Sequence, residues 1–245
     1  MKWIKLDSVP STNTTIAALI KNNSNRNDMV VIADYQEDRK GQGKNRWHSQ
    51  HGENLLMSLL LFPAFMSASR QFHLSRISSL AICDLLNELG VTAAIKWPND
   101  ILTGQGKIAG ILIENSISGS NISHSIIGIG LNLNQHKFPA FPVPATSLVL
   151  ENGLTKDPGA VAKELWNFFS VRYGELINGN ESVLVRDYQE KLYRIGQPVA
   201  CMVNEIPRHG IIHGVNEFGE LLLEMRGMTK AYGHQEVRVL ISGDW

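Results

Sequence analysis

Residues 96–115 read KWPNDILTGQGKIAGILIEN, and this stretch restricts the fold more than any other. Two short apolar runs, Ile101-Leu102 and Ile108 to Ile113, flank the turn Thr103-Gly104-Gln105-Gly106, which is the pattern of a β-hairpin. Pro98 has no N–H and biases Trp97 toward extended geometry, so the Lys-Trp-Pro-Asn-Asp cluster is expected to precede the first strand. The hairpin would then hold Lys96, Asp100 and Lys107 together at one end. Two lysines at close range repel unless an anion lies between them. Asp100 can neutralise one of them, or help place a divalent cation against phosphate oxygens. A solvated hairpin end with an ordinary surface ion pair explains the same residues without a ligand. Gly110 leaves the backbone bare where a ligand could approach.

The 245 residues suffice for one large domain and a small one. Acidic and basic side chains balance at 23 each, which argues against a general nucleic-acid binder. The N-terminus has no basic segment followed by an apolar one, and no apolar run is long enough to span a bilayer. Cys83 and Cys201 lack metal-type spacing and fit a reduced, cytoplasmic protein without disulfides.

In chain order, residues 1–10 predict a short strand and residues 11–21 a helix with Ser11 as its N-cap. The free N–H groups of that helix start put Ser11, Thr12 and Asn13 in a position to meet a ligand. Residues 29–33 predict a buried strand. The loop from Asp34 to Trp47 carries four cations and two glycines and no apolar residue between Tyr35 and Trp47. It cannot offset its ordering entropy by burial and is expected to be mobile when empty, with a backbone able to wrap an anion. His48 and His51 lack a third ligand partner for zinc. Residues 54–62 predict a central strand and residues 69–89 an amphipathic helix ended by Gly90.

Residues 123–134 predict another strand. Its Gly128, Gly130 and Asn132 share one face by the two-residue period, making a slot where a flat ring could lie with Asn132 at its edge. Close strand packing explains the glycines without a ligand. Asp157-Pro158 predicts an N-cap with proline at the first helical position, with helices to Ile177 and then over residues 181–194. Beyond Gly196 four or five short strands predict a small C-terminal β-barrel. His209 and His213 stand in strand context and are not read as a metal pair.

Together these segments resemble the biotin protein ligase family. The resemblance rests on Ser11-Thr12-Asn13, on Tyr35-Gln36 with the basic glycine loop to Trp47, on KWPND at 96–100, on KIAGIL at 107–112 and on GIGLN at 128–132. It covers nearly the whole chain in the same order. It implies an α+β fold: a mixed sheet with flanking helices, similar to class II aminoacyl-tRNA synthetases, over residues 1–194, and an SH3-like barrel over residues 195–245. It also implies a two-step ATP-dependent reaction, in which biotin is activated as biotinyl-5′-AMP and passed to a lysine of a carboxylase biotin carboxyl carrier domain. ATP with Mg2+, and biotin, are then substrates, with no permanently bound cofactor.

Carried onto this chain, the resemblance gives Lys107 the bridging of the biotin carboxylate and the α-phosphate, and gives Lys96 and Asp100 phosphate and Mg2+ placement. Ser11, Thr12, Asn13 and Gln36 would hold the ureido ring. Lys40, Gly41 and Gln42 would lie in the loop over the adenylate, Gly110, Gly128 and Gly130 would line the site, and Asn132 would touch the nucleotide. The loop departs from the family pattern: Arg39 stands for a glycine and Lys40 for an arginine, which removes a bidentate phosphate fork unless Arg39 supplies it. With Ser11 so near the start, a ligase without DNA-binding function is expected, and a homodimer is compatible with the sequence. A lipoate or octanoate ligase, and a non-catalytic protein that stores biotin or its adenylate, are the competing readings.

Overall fold

The computed structural model describes residues 1–21, 27–38, 41, 43 and 46–241. Its first half is strand-rich: β1 (Lys2–Val9), α1 (Thr12–Lys21), β2 (Met29–Gln36), β3 (Leu55–Leu61), α2 (Phe72–Glu88), β4 (Ala94–Lys96), β5 (Asp100–Leu102), β6 (Lys107–Ser118) and β7 (Asn121–Leu131). The helices α3 (Leu148–Asn152), α4 (Pro158–Ile177) and α5 (Glu181–Glu190) follow. The chain closes with β8 (Pro198–Val203), β9 (Ile206–Val215), β10 (Leu221–Met225), β11 (Met228–Tyr232) and β12 (Val237–Val239).

Seven strands form one mixed sheet in the order β1-β2-β3-β7-β6-β5-β4. Only β1 and β2 run parallel, joined by the α1 crossover; the other neighbours are antiparallel. The alternation of side chains sorts the sheet into two faces. Val30, Ile32, Leu55, Met57, Leu59, Ile127 and Ile129 belong to a large core that also contains residues of α2, α4 and α5. Met29, Val31, Leu60 and Ile126 form a smaller cluster with Ile16 of α1. The register Leu56↔Gly130, Ser58↔Gly128 and Gly110↔Gly130 puts the glycines and Ser58 on the α1 face.

Local sequence explains the element ends. Ser11 Oγ accepts from Thr14 N at 3.3 Å and caps α1. Gly90 follows α2 with φ of 77°, a conformation open to glycine. Asp157 accepts from Ala160 N at 2.7 Å, with Pro158 opening α4.

Four expectations need correction. Residues 96–99 precede β5, the first strand of the expected hairpin, but Asp100 opens that strand, and the cluster forms a turn of its own, with Lys96 ending β4, Lys96 and Asp100 paired across the ladder and a cis Trp97-Pro98 bond between them. The expected β5–β6 hairpin is also present. The second C-terminal helix stops at Glu190 rather than Arg194, although Tyr188 and Leu192 are both buried as expected. The C-terminal strands form one antiparallel sheet ordered β11-β10-β9-β8-β12, whose outer strands β11 and β12 are not paired with each other, so the barrel is open. The sequence missed β11, because its residues Met228 to Ala231 are all exposed and carry no buried alternation.

The C-terminal sheet packs against the α2 side. Trp97 Nε1 donates to Gly219 O at 2.9 Å, and Arg76 donates to Asn216 O at 2.7 Å. No helix among the described residues is long and apolar enough to cross a membrane.

Candidate active site

On the α1 face a cavity of about 270 Å³ opens between the N-terminus of α1, the glycine-bearing strands and the turn at residues 97–99. Ser11, Thr12, Asn13, Gln36, Gly41, Lys96, Asp100, Lys107, Gly110, Gly128 and Gly130 all line it. The sheet register explains the gathering. Gly110 of β6 lies opposite Gly130 of β7 and also opposite Asp100 of β5, so the bare strands and the acid share one end. Lys40 and Gln42, with Arg39, lie outside the described residues.

At that end Lys107 Nζ lies 2.5 Å from Asp100 Oδ1, and Lys96 Nζ lies 4.0 Å from Oδ2. One carboxylate therefore stands between two ammonium groups. Lys96 is only 9% exposed and Asp100's side chain 18%, so water screens this cluster less than it would a surface pair. Asp100, expected to help place Mg2+, is engaged by both lysines. Its oxygens face ammonium groups, and among the described residues no three His, Cys, Asp or Glu gather as a metal site. His51 instead lies 3.0 Å from Asp7, and His213 lies 2.7 Å from Glu224.

At the other end the groups are polar and uncharged. Gln36 Oε1 accepts from Thr12 N at 2.8 Å and from Thr12 Oγ1 at 3.1 Å, which leaves the two Nε2 protons of Gln36 for a ligand. Asn13 is 3% exposed, and its Nδ2 donates to Glu114 Oε2 at 2.7 Å. Ser58 Oγ lies 2.6 Å from both Thr12 Oγ1 and Asn13 Oδ1.

The glycine slot is real, but this chain already fills part of it. A Cβ at Gly130 would meet the Trp47 indole at 2.4 Å, and one at Gly128 would meet Asn13 Oδ1 at 2.5 Å. Gly110 is likewise covered by Trp47, at 3.1 Å from its Cβ position. The flat ring against the strands is thus an indole, with Lys107 Nζ 5.6 Å from its centroid. The indole Nε1 is buried without a hydrogen-bond partner among the described residues.

Asn132 lies just beyond the strand that carries the glycines. It follows the last residue of β7, its N–H donates to Ile108 O, and its Nδ2 donates to Thr146 O at 2.8 Å. It is 3% exposed and does not line the cavity, and its Oδ1 is buried without a hydrogen-bond partner among the described residues. The period-two face was read correctly, but it extended past the strand's end, where the segment at Thr146 covers it.

The sequence reading missed His234, Val237, Arg238 and Val239, which line the cavity from the C-terminal sheet. No local signal marks them, because only the docking of that sheet brings them near. Trp47 stood in the sequence as the loop's boundary. Its neighbour Arg46 carried a charge signal, yet the indole is what meets the glycines.

A site that joins two anions needs cations where they meet and hydrogen-bonding groups that grip one of them at its far end. This cavity offers both, an arrangement suited to a ligase that activates a carboxylate. Residues 6–132 match the Biotin/lipoate A/B protein ligase family, and the chain belongs to that family. It is 31% identical over 231 residues to the bifunctional ligase/repressor BirA of Bacillus subtilis, covering 92% of this chain and 70% of that protein. It is 30% identical over 200 residues to the biotin–[acetyl-CoA-carboxylase] ligase of Paracoccus denitrificans, covering 79% of this chain and 82% of that protein. Among solved structures, the biotin protein ligase of Aquifex aeolicus in complex with biotin and ATP superposes with a TM-score of 0.80 at 25% identity, covering 97% of this chain and 98% of that one.

Proposed function

We propose that the protein is an ATP-dependent biotin–protein ligase whose carboxylate-activating step takes place at the Lys96–Asp100–Lys107 cluster. The observation that carries this reading is one cavity with two ammonium groups at one end and uncharged donors and acceptors at the other. Biotin is an anion on a chain ending in a neutral ureido ring, and it matches that polarity.

In the first step a biotin carboxylate oxygen attacks the α-phosphorus of MgATP. The bond to the α,β-bridging oxygen breaks and pyrophosphate leaves. In the second, a lysine amine of the carrier attacks the acyl carbon, an amide forms, AMP leaves and the amine's proton is lost. No protein nucleophile is required, so catalysis consists of positioning and charge stabilisation. Lys107 would hold the biotin carboxylate beside the α-phosphate, and Lys96 would offset charge on the phosphoryl oxygens. Asp100 keeps Lys107 aimed into the cavity before substrates arrive. Thr12, Asn13 and Gln36 would hold the ureido ring, with Ser11 capping the helix that presents them. Mg2+ enters with ATP.

Residues 1–194 would form the catalytic unit and residues 195–245 a sheet that closes one cavity wall. The acceptor would be a carboxylase biotin carboxyl carrier domain. Its docking beside the cavity is supported by β6, which bonds β7 along its length but has β5 on its other side only as far as Gly110. Two buried, unpaired cysteines support a reduced, cytoplasmic setting.

The test is biotin-dependent pyrophosphate release with MgATP, for wild type and Lys107→Ala, with and without a biotin-carrier domain. Turnover that needs biotin, continues past one equivalent only with carrier, and falls at least about a hundredfold in the variant supports the ligase. Biotin binding without release would mark a storage protein, and release with lipoate in place of biotin a lipoate ligase.

A further inference from the structure

A second cavity of about 270 Å³ adjoins the first and shares Trp97, Pro98, Asn99, Ile111, Leu112 and His234 with it. Beyond these it is walled by Phe72 and Ser75 at the start of α2, by Ile113 and Asn115 of β6, and by Phe218 in the turn before β10. Among the described residues no carboxylate, ammonium or guanidinium lines it. It therefore does not suit the phosphates of ATP, which the proposed reaction places at the lysines.

The floor of this cavity is an unpaired strand edge. In an antiparallel ladder the N–H and C=O of one residue point to the same side, and successive residues alternate between sides. Ile111 N donates to Asn99 O and Asn99 Nδ2 donates to Ile111 O, both at 2.9 Å, so Ile111 points away from β7. Ile113 and Asn115 share that parity, ahead of the register shift at Ser116 and Ile117. The ladder to β5 ends at Gly110, and no backbone group among the described residues bonds the N–H or C=O of Ile113 or Asn115 on that side. Asn115 adds a second signal. Its Nδ2 donates to Gln71 Oε1 at 3.0 Å, but its Oδ1 is buried without a partner among the described residues. Beside these polar groups the apolar wall is bare, with Phe218 61% exposed.

A free strand edge takes an extended peptide as an added strand. Two free residues and one small cavity fall far short of the roughly 1,000 Å² that a specific interface between two copies of a chain buries. The acceptor segment is the one peptide that the ligase reaction must bring to this place. We propose that the second cavity and the β6 edge at Ile113 and Asn115 bind the carrier as an extended segment beside its acceptor lysine. The inference rests on the biotin ligase reading. On an added strand successive side chains alternate between the faces of the sheet. Those turned to the α1 face point toward the catalytic cavity, and those between them meet Phe72 and Phe218.

The test separates the two half-reactions in two variants. Ser75→Trp fills the cavity from α2, and Asn115→Pro removes an N–H from the edge without breaking a bond to β7. Adenylate formation is read as biotin-dependent pyrophosphate release without carrier, and transfer as steady-state biotinylation of a biotin carboxyl carrier domain. Hydroxylamine, which needs no docking, replaces the carrier as a control acceptor. Both variants should raise KM for the carrier about tenfold, as the loss of one or two hydrogen bonds would. Adenylate formation and capture by hydroxylamine should stay within about twofold of wild type. Should one variant misfold, the other carries the same expectation. A carrier KM within about twofold of wild type in either folded variant would overturn the inference. A matching fall in adenylate formation would overturn it too, by making the cavity part of the biotin or ATP site. So would a wild type that sediments as a dimer beside monomeric variants, which gives the edge to a second copy. A wild type without biotin-dependent pyrophosphate release would instead sink the ligase reading, and this inference with it.

Discussion

The two faces of the seven-stranded sheet are built on opposite terms. The face toward α2, α4 and α5 is filled: Leu74, Ile77, Leu80, Leu165 and Phe169 are fully buried, and they join one continuous core with residues of the C-terminal sheet. The face toward α1 packs only a small apolar cluster at one end and is left bare by Gly110, Gly128 and Gly130 at the other. What the bare end lacks in packing it holds in polar groups, Lys96, Asp100, Lys107, Thr12 and Asn13 among them. One sheet thus keeps packed core and candidate site on opposite faces, with Lys107 brought to the site side by the register shift between β5 and β6 at Ile101 and Leu102. Perturbing the filled face should unfold the protein without altering the chemistry of the folded fraction, and perturbing the bare face should do the reverse.

The strongest break is on the filled face. Phe169 of α4 is fully buried and stacks between Trp166 and Tyr173, with centroids 5.8 and 5.9 Å away. Phe169→Ala should cost about 3–5 kcal/mol of unfolding free energy, read by urea denaturation. KM for biotin in the remaining folded enzyme should stay put, and a raised KM would blur the separation. Next comes the mirror case. Lys107→Ala should lower biotin-dependent pyrophosphate release at least about a hundredfold, equal to about 2.7 kcal/mol of transition-state stabilisation. Removing Lys107 empties no packed core position, so the denaturation midpoint should move by less than that of Phe169→Ala. Equal losses of rate and stability would end the comparison.

The same division decides what could be read from sequence. The filled face was legible because burial leaves a period: the apolar positions of α2 and the Asp157-Pro158 start of α4 are local signals of helix and cap. The bare face was legible where chemistry sits in short runs, as at residues 11–13, 96–100 and 107–110. Cross-strand geometry was not. No spacing says that Gly110 lies opposite Gly130, or that Trp47 fills the slot they make. Glu114 resembles any acid on a strand until Asn13 is seen to donate to it. His234 and Arg238 come from a sheet whose docking is set by Arg76, Trp97 and a turn at residues 216–219, contacts between segments more than a hundred residues apart.

Trp47 offers a finer cut. The place of Gly130 is dictated by the indole, not by backbone conformation, since an added Cβ would lie 2.4 Å from the ring. Gly130→Ala must push the indole off the slot or shift the strand, which moves the wall beside Lys107. About a tenfold fall in kcat/KM is expected, with a blue- or red-shifted tryptophan emission reporting the displaced ring. Gly153, by contrast, follows α3 with nothing within 4 Å of an added Cβ and a φ of 78°. Gly153→Ala should strain only its own turn, costing about 1 kcal/mol of stability with no change in rate. A rate effect at Gly153 as large as that at Gly130 would show that the bare face is not special.

The smallest effect lies in the seam between α2 and α5. His73 is almost wholly buried, and burial lowers its pKa below the usual 6.5, with the Arg76 and Arg70 guanidiniums adding to the depression and Glu181, 3.3 Å away, opposing it. Glu181 also bonds Arg70, so its charge is shared. The folded protein therefore holds His73 neutral where the unfolded chain would take up a proton. Between those two pKa values the unfolded state binds more protons, so stability falls as pH drops below about 6.5 and levels off below the folded value. Denaturation midpoints measured from about pH 8 to about pH 5 should decline on the acid side, and His73→Gln should flatten part of that decline. KM for biotin should not follow His73 at any pH, because the sheet stands between this seam and the α1 face. A variant that leaves the acid limb unchanged would mean that Glu181 compensates the buried proton in full, and that the filled face is as indifferent to pH as its packing suggests.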